Sequence, residues 1–242
     1  MSTVKIARSS PKSFLARFAR VTSSGSYLPE IDGLRFIAIM AVLLYHAHLF
    51  FFAKPIPNAL EFPISWDWLN FAIGQGWFGV QVFFVISGFV LALPFAGHYL
   101  EGRKPVHLKT YYSRRFIRIG FPYVVALTLG LLFALSGELS FAEIISRYGA
   151  GLLYAHGLLY EGALNPILFV SWTLEIEIQF YILAPLLCKI FALRNFVVRC
   201  SLLVLAIFII QEVAGTLNSH NPSAIWSHSI IGQLQFFLAG IL

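Results

Sequence analysis

Residues 77–96 read WFGVQVFFVISGFVLALPFA, a run with no formal charge. As a helix it would rise about 30 Å, the thickness of a hydrocarbon core, so it is predicted to cross a bilayer. Segments 36–52, 119–135, 176–193, 197–214 and 229–242 are comparable, though shorter or more interrupted. The 242-residue chain is 58% hydrophobic and only 12% charged, about half the charge fraction of a soluble domain. The expected fold class is all-α: a polytopic transmembrane helix bundle of about six spans.

The cations give that bundle a direction. Lys5, Arg8, Lys12, Arg17 and Arg20 precede the first span, and Arg103, Lys104, Lys109, Arg114, Arg115 and Arg118 follow the second. Lys189, Arg194 and Arg199 lie between the fourth and fifth. Connections 53–75, 136–170 and 212–228 hold just Lys54 and Arg147. This alternation is the positive-inside pattern and predicts a cytoplasmic N-terminus in a multi-pass protein of the cell (inner) membrane. The net charge of +6 is therefore read as topology, with the lipid bilayer as partner and no nucleic acid.

Residues 1–26 are basic and Ser-rich without a short apolar core and cleavage site, so the first span is expected to act as the anchor. The chain divides into a basic cytoplasmic tail, 1–26, and one membrane domain, 27–242. Pro55, Pro57, Pro63, Trp66 and Trp68 in the second connection suit an outer interfacial belt. Residues 137–170 allow an interfacial helix, a re-entrant segment or an extra hairpin. Cys188 and Cys200 fall near cytoplasmic span ends and are expected to be apolar thiols rather than a disulfide. The last apolar segment stops after fourteen residues at Leu242, where a span needs about 20, so a domain incomplete at its C-terminus is expected.

Ionisable side chains at membrane depth are expensive and mark candidate sites. Arg35 and His46 sit eleven residues apart in DGLRFIAIMAVLLYH. At 100° per residue a continuous helix puts them on one face, about 16 Å apart along its axis. Asp32 could cap that helix, and Arg35 could instead snorkel to headgroups. Glu175 and Glu177 are two residues apart and point about 200° from each other. Glu177 shares a face with Tyr181, whereas Glu175 is read as a rim residue. Ser87, beside Gly88, offers either close helix packing or a hydroxyl. Trp172, at an outer helix start, could stack on a sugar ring. Arg114, Arg115 and Arg118 could set topology against anionic lipid; Arg115 and Arg118, three apart, could also share a phosphate-binding face.

Asp32-Gly33-Leu34-Arg35 followed ten residues on by His46 resembles the signature of the acyltransferase 3 family, integral-membrane enzymes that O-acetylate cell-surface glycans and related acceptors. Further similar elements follow in the family's order. They are Gly79–Phe89 (GVQVFFVISGF), Arg114–Ile119 with Pro122 and Tyr123, Trp172–Tyr181 (WTLEIEIQFY) and Phe237–Gly240. The resemblance implies transfer of an acyl group, acetyl by expectation, from acyl-CoA to a hydroxyl of an envelope carbohydrate or lipid-linked glycan. Two departures stand out: Gln81 replaces a commonly acidic residue, and members usually have about ten spans.

That chemistry needs a base, oxyanion stabilisation and an anchor for a phosphate-rich donor. His46, with an ordinary pKa near 6.5, suits the base, and Glu177 could pair its imidazolium or bond the acceptor. Arg35, Arg115, Arg118 and Arg114 suit the donor phosphates and developing charge; Ser87, Tyr181 and Trp172 would support them. The scattered histidines and separated cysteines suggest no metal site, and no bound cofactor is expected beyond acyl-CoA as donor substrate. No G-x-S-x-G elbow is present, which favours direct transfer. A proton-linked transporter lined by Arg35, His46 and Glu177 is a second reading, and an inactive, shortened scaffold a third.

Overall fold

Pro29 opens the first helix, α1 (Pro29–Ala53), with Glu30 and Asp32 in its first turn. A proline at a helix start gives up no intrahelical bond, and carboxylates there favour the positive end of the dipole. The helix thus begins ahead of Asp32, which lies within the first turn instead of capping it. The computed structural model describes residues 29–53, 67–137, 139–220 and 226–242. The tail 1–26 and the Pro55, Pro57, Pro63 and Trp66 portion of the second connection lie outside the described residues.

The chain continues as α2 (Asp67–Gly74) and α3 (Phe78–Glu101). Gly102 stops α3 in the left-handed region at φ 69°. Next, α4 (Leu108–Arg115) runs through a π-helical turn at Phe116–Gly120 into α5 (Phe121–Ala134). The fourth apolar segment is α8 (Ser171–Leu187), extended by a 3-10 turn at Cys188–Ala192. Then come α9 (Phe196–His220), a 3-10 turn at Trp226–His228 and α10 (Ile230–Ile241). No strand occurs among the described residues, as the apolar periodicity predicts.

Among the described residues four helices are long and apolar enough to cross a membrane: Pro29–Phe50, Phe78–Glu101, Leu108–Ala134 and Phe196–Ser219. The other two expected spans form helices of 17 residues (α8) and 12 residues (α10). Connection 137–170 folds as α6 (Phe141–Leu152) and a single turn, α7 (His156–Leu159), not as a further hairpin of spans. Ser140 caps α6, its side chain accepting the Glu143 N–H at 3.3 Å, one half of a capping box, while the Glu143 carboxylate pairs with Arg147 at 2.9 Å.

Helix α8 lies at the centre. Ile176, Phe180 and Ala184, four residues apart, pack with Phe84, Leu91 and Phe95 of α3 and Phe237 and Leu238 of α10. Ile178, on the opposite side, packs with Tyr123 and Leu127 of α5 and with Ile144, Tyr154 and Ile167. Two cores therefore flank one helix, which explains why its polar residues also divide between two surroundings. Helices α3 and α10 touch backbone to backbone. A Cβ added at Gly88 would strike the Phe237 carbonyl oxygen, and one at Gly240 the Val85 carbonyl oxygen. Small residues at such crossings let helices approach closely in lipid. Around this centre, Phe36, Ile37, Phe121, Phe133, Ile182 and Phe208 point outward, the surface a bilayer solvates.

Candidate active site

A cavity of about 260 Å³ opens where α1, α3 and the start of α8 meet. Its polar lining is His46 from α1, Ser87 from α3, and Trp172, Thr173 and Glu177 from α8. Val42, Val80, Phe83, Phe84, Val170 and Leu174 form the apolar remainder. Four side chains predicted separately from three segments thus face one space. The periodicity of each helix carries them there: His46 is four residues beyond Val42, and Ser87 three or four beyond Phe84 and Phe83.

Glu177 is held from two sides. The Ser87 hydroxyl donates to its Oε1 at 3.1 Å, and the Tyr181 hydroxyl donates to the same oxygen from one turn along α8. Hydrogen bonds to a carboxylate are about twice as strong as neutral ones, so the two donors fix the carboxyl group's direction. The His46 ring stacks over Phe169 with centroids 6.5 Å apart and leans on Tyr45 at 5.4 Å.

From Tyr181 the polar path continues away from the cavity. The Arg115 guanidinium lies 4.1 Å from the Tyr111 ring centre and 5.8 Å from that of Tyr181, within cation–π range. The Tyr111 hydroxyl in turn donates to the Tyr181 carbonyl at 3.3 Å. Arg115 is half-buried, whereas Arg114 and Arg118 are exposed. Arg115 and Arg118 both lie near enough to Tyr181 to act on it electrostatically. A π-helical turn begins at Phe116, and its wider winding displaces Arg118 from the three-residue register of an α-helix.

Arg35 is not among the cavity's lining residues; it pairs with Asp32 at 3.5 Å on the first turns of α1. The signature's Asp and Arg are thus an ion pair one turn apart, some three turns from His46.

Glu175 corrects the sequence reading. Instead of lying at a rim it is 2% exposed. It accepts from the Gly157 N–H at 3.2 Å, the Tyr123 hydroxyl at 3.2 Å and the Ser171 hydroxyl at 3.4 Å. It anchors segment 153–170, whose path turns at Tyr154 and Glu161, both with positive φ. The Gln179 amide secures the first of these turns, donating to the Tyr154 carbonyl. A buried carboxyl on the face of α8 opposite Glu177 is structural, and the two-residue spacing already placed it away from the cavity. Only the covering segment was hidden from the sequence.

Comparison with known proteins fits this geometry. The model of an acyltransferase domain family matches residues 28–242. The chain belongs to the acyltransferase 3 family. This family member is 28% identical over 190 residues to the O-acetyltransferase OatA of Staphylococcus aureus, an alignment covering 72% of the chain and 26% of that protein. It is 27% identical over 183 residues to the peptidoglycan O-acetyltransferase OatA of Listeria monocytogenes, covering 69% and 25%. A putative O-acetyltransferase of Staphylococcus aureus strain COL is 26% identical over 172 residues, covering 66% and 24%. The chain thus spans about a quarter of the length of these curated relatives. No solved structure matches it.

Proposed function

We propose that the protein is a multi-pass inner-membrane O-acyltransferase that moves an acyl group, acetyl by preference, from acyl-CoA to a hydroxyl of an envelope glycan. The observation that carries this reading is the convergence of His46, Ser87 and Glu177 from three helices on one cavity. The O-acetyltransferase relatives supply the acyl group and, in the peptidoglycan enzyme, the kind of acceptor.

In this mechanism the imidazole of His46 removes the proton from the acceptor hydroxyl, whose oxygen attacks the thioester carbonyl carbon. The new C–O bond forms, the C–S bond breaks, and the departing CoA thiolate takes the proton back from the imidazolium. Glu177 stabilises the imidazolium or orients the acceptor, and Ser87 and Tyr181 keep its carboxyl in one direction. Trp172 gives the sugar an aromatic face. Arg115, with Arg114, Arg118 and Arg35, attracts the CoA phosphates to the basic side, since guanidinium stays charged and matches phosphate geometry.

The test uses the full chain in lipid nanodiscs with radiolabelled acetyl-CoA and isolated cell-wall glycan. Base-labile label appears in the glycan, and His46→Ala lowers the rate at least about 100-fold, the contribution of a general base, with unchanged melting behaviour. Undiminished transfer by His46→Ala would remove His46 from the mechanism. Transfer from another thioester but not from acetyl-CoA would reassign the donor.

A further inference from the structure

A second, larger cavity of about 410 Å³ adjoins the first, sharing Val80 and Trp172 as a common wall. It is within the size range of small-molecule sites, about 300–1,000 Å³. Five carboxamides line it: Gln81 from α3, Gln211 and Asn218 from α9, and Gln233 and Gln235 from α10. No Lys, Arg, Asp or Glu is among the lining residues. The two indoles, Trp77 and Trp172, add aromatic surface.

Among the described lining residues His228 is the one that titrates near neutrality, and its surroundings favour the neutral ring. Burial pushes its imidazole below the ordinary value. Its Nδ1 lies 3.2 Å from the Gly162 carbonyl; as that oxygen can only accept, Nδ1 carries the proton and Nε2 is left as an acceptor. The His228 ring also leans on Trp172, centroids 4.6 Å apart. The Gln235 amide oxygen is shielded and has no hydrogen-bond partner among the described residues.

Carboxamides both donate and accept, indoles offer faces, and no charge is present. Such a lining rejects phosphates and carboxylates, which would be desolvated without a counter-charge, and suits a polyhydroxylated ring. The cavity is also lined by the start of α3, the end of α9 and the start of α10, the helix ends that adjoin the cation-poor connections 53–75 and 212–228. The basic cluster at Arg114, Arg115 and Arg118 belongs to the other side of the charge pattern.

We infer that this cavity is the binding site for an uncharged sugar ring of the acceptor, delivering its hydroxyl past Trp172 to His46. The inference rests on the acyltransferase reading for its role, but the pocket is tested without any acyl donor.

The test measures intrinsic tryptophan fluorescence of the full chain in nanodiscs during titration with per-N-acetylated chitotriose. Trigalacturonic acid serves as the charged counterpart and CoA as competitor. Saturable binding of the neutral sugar alone is expected, undisturbed by CoA. Gln211→Leu and Asn218→Ala, at exposed positions of α9, and Gln235→Leu on α10 should each weaken it about tenfold, the loss of a desolvated hydrogen bond. Melting profiles identify any variant that does not fold, and the α9 pair keeps the test decisive if Gln235→Leu fails. No saturable sugar binding, equal affinity in folded variants, tighter binding of the charged trimer, or displacement by CoA would each overturn the assignment. Variant-sensitive sugar binding without acyl transfer would uphold the pocket and refute the reaction.

Discussion

Replacing Glu175 by Ala should unfasten segment 153–170 from α8, at a magnitude the hydrogen bonds allow to be worked out. Three donors converge on this carboxyl group, the Gly157 N–H, the Ser171 hydroxyl and the Tyr123 hydroxyl. Tyr123 has a second acceptor, the Gly151 carbonyl at 2.9 Å, and its single proton stays satisfied there. The Gly157 N–H and the Ser171 hydroxyl are left buried without an acceptor. Each orphaned donor costs about 1–3 kcal/mol, giving about 4 kcal/mol together. For a chain of this size, 1 kcal/mol corresponds to about 2–4 °C, so the midpoint falls by about 10 °C. Glu175→Gln retains the volume and one carbonyl oxygen and should lose about a third of that. Cys188 is free and buried, so a dye that fluoresces on reaction with thiols reports unfolding in detergent. Melting of Glu175→Ala within about 2 °C of wild type would refute the anchoring role, as would equal losses for Gln and Ala.

Gly88→Val should separate α3 from α10 and abolish monodisperse protein in size-exclusion chromatography; Gly74→Ala, at a position with nothing within 4 Å, should be silent. Tyr181→Phe removes one donor from Glu177 and should slow acyl transfer about tenfold, the worth of one hydrogen bond to a charged group; an unchanged rate would show that Ser87 alone suffices. His156 is 1% exposed, and burial, reinforced by Arg147, pushes its pKa from 6.5 to about 4. The fold therefore favours the neutral ring: its contribution is complete above pH 6.5 and is lost as pH falls from there toward about 4, by about 3 kcal/mol in all. His228 adds a slope of the same sign, so the measurement is the difference in melting between wild type and His156→Phe across pH 4.5–7.5; parallel curves would show that His156 contributes nothing.

The bundle and most of its chemistry were legible in the sequence because helix periodicity is regular over long apolar runs. His46, Ser87, Glu177 and Trp172 were each picked out by polarity at depth and by motif. Their meeting was not visible, since the Ser87–Glu177 contact joins residues 90 apart and depends on how α3 packs against α8. Local winding also escaped the sequence. Nothing in FIRIG announces the π-helical turn that separates Arg115 from Arg118. Glu175 was misplaced because its cover, Gly157 and its neighbours, belongs to a connection whose path has no periodicity to read. The neutral cavity escaped for a similar reason: Gln81, Gln211, Asn218 and Gln235 lie on three helices, and amides in apolar segments are individually unremarked.

The backbone contact between Gly88 and Gly240 sets a schedule for assembly. The two glycines are 152 positions apart, and a ribosome adding about 5–20 residues per second needs about 8–30 s to make that stretch. Through that interval α3 is inserted while the groove over Gly88 faces lipid instead of α10, and the larger cavity lacks the wall that Gly232, Gln233, Gln235 and Phe236 supply. Mutations that slow the arrival of α10 would then act on yield at the translocon and leave the specific activity of surviving molecules unchanged.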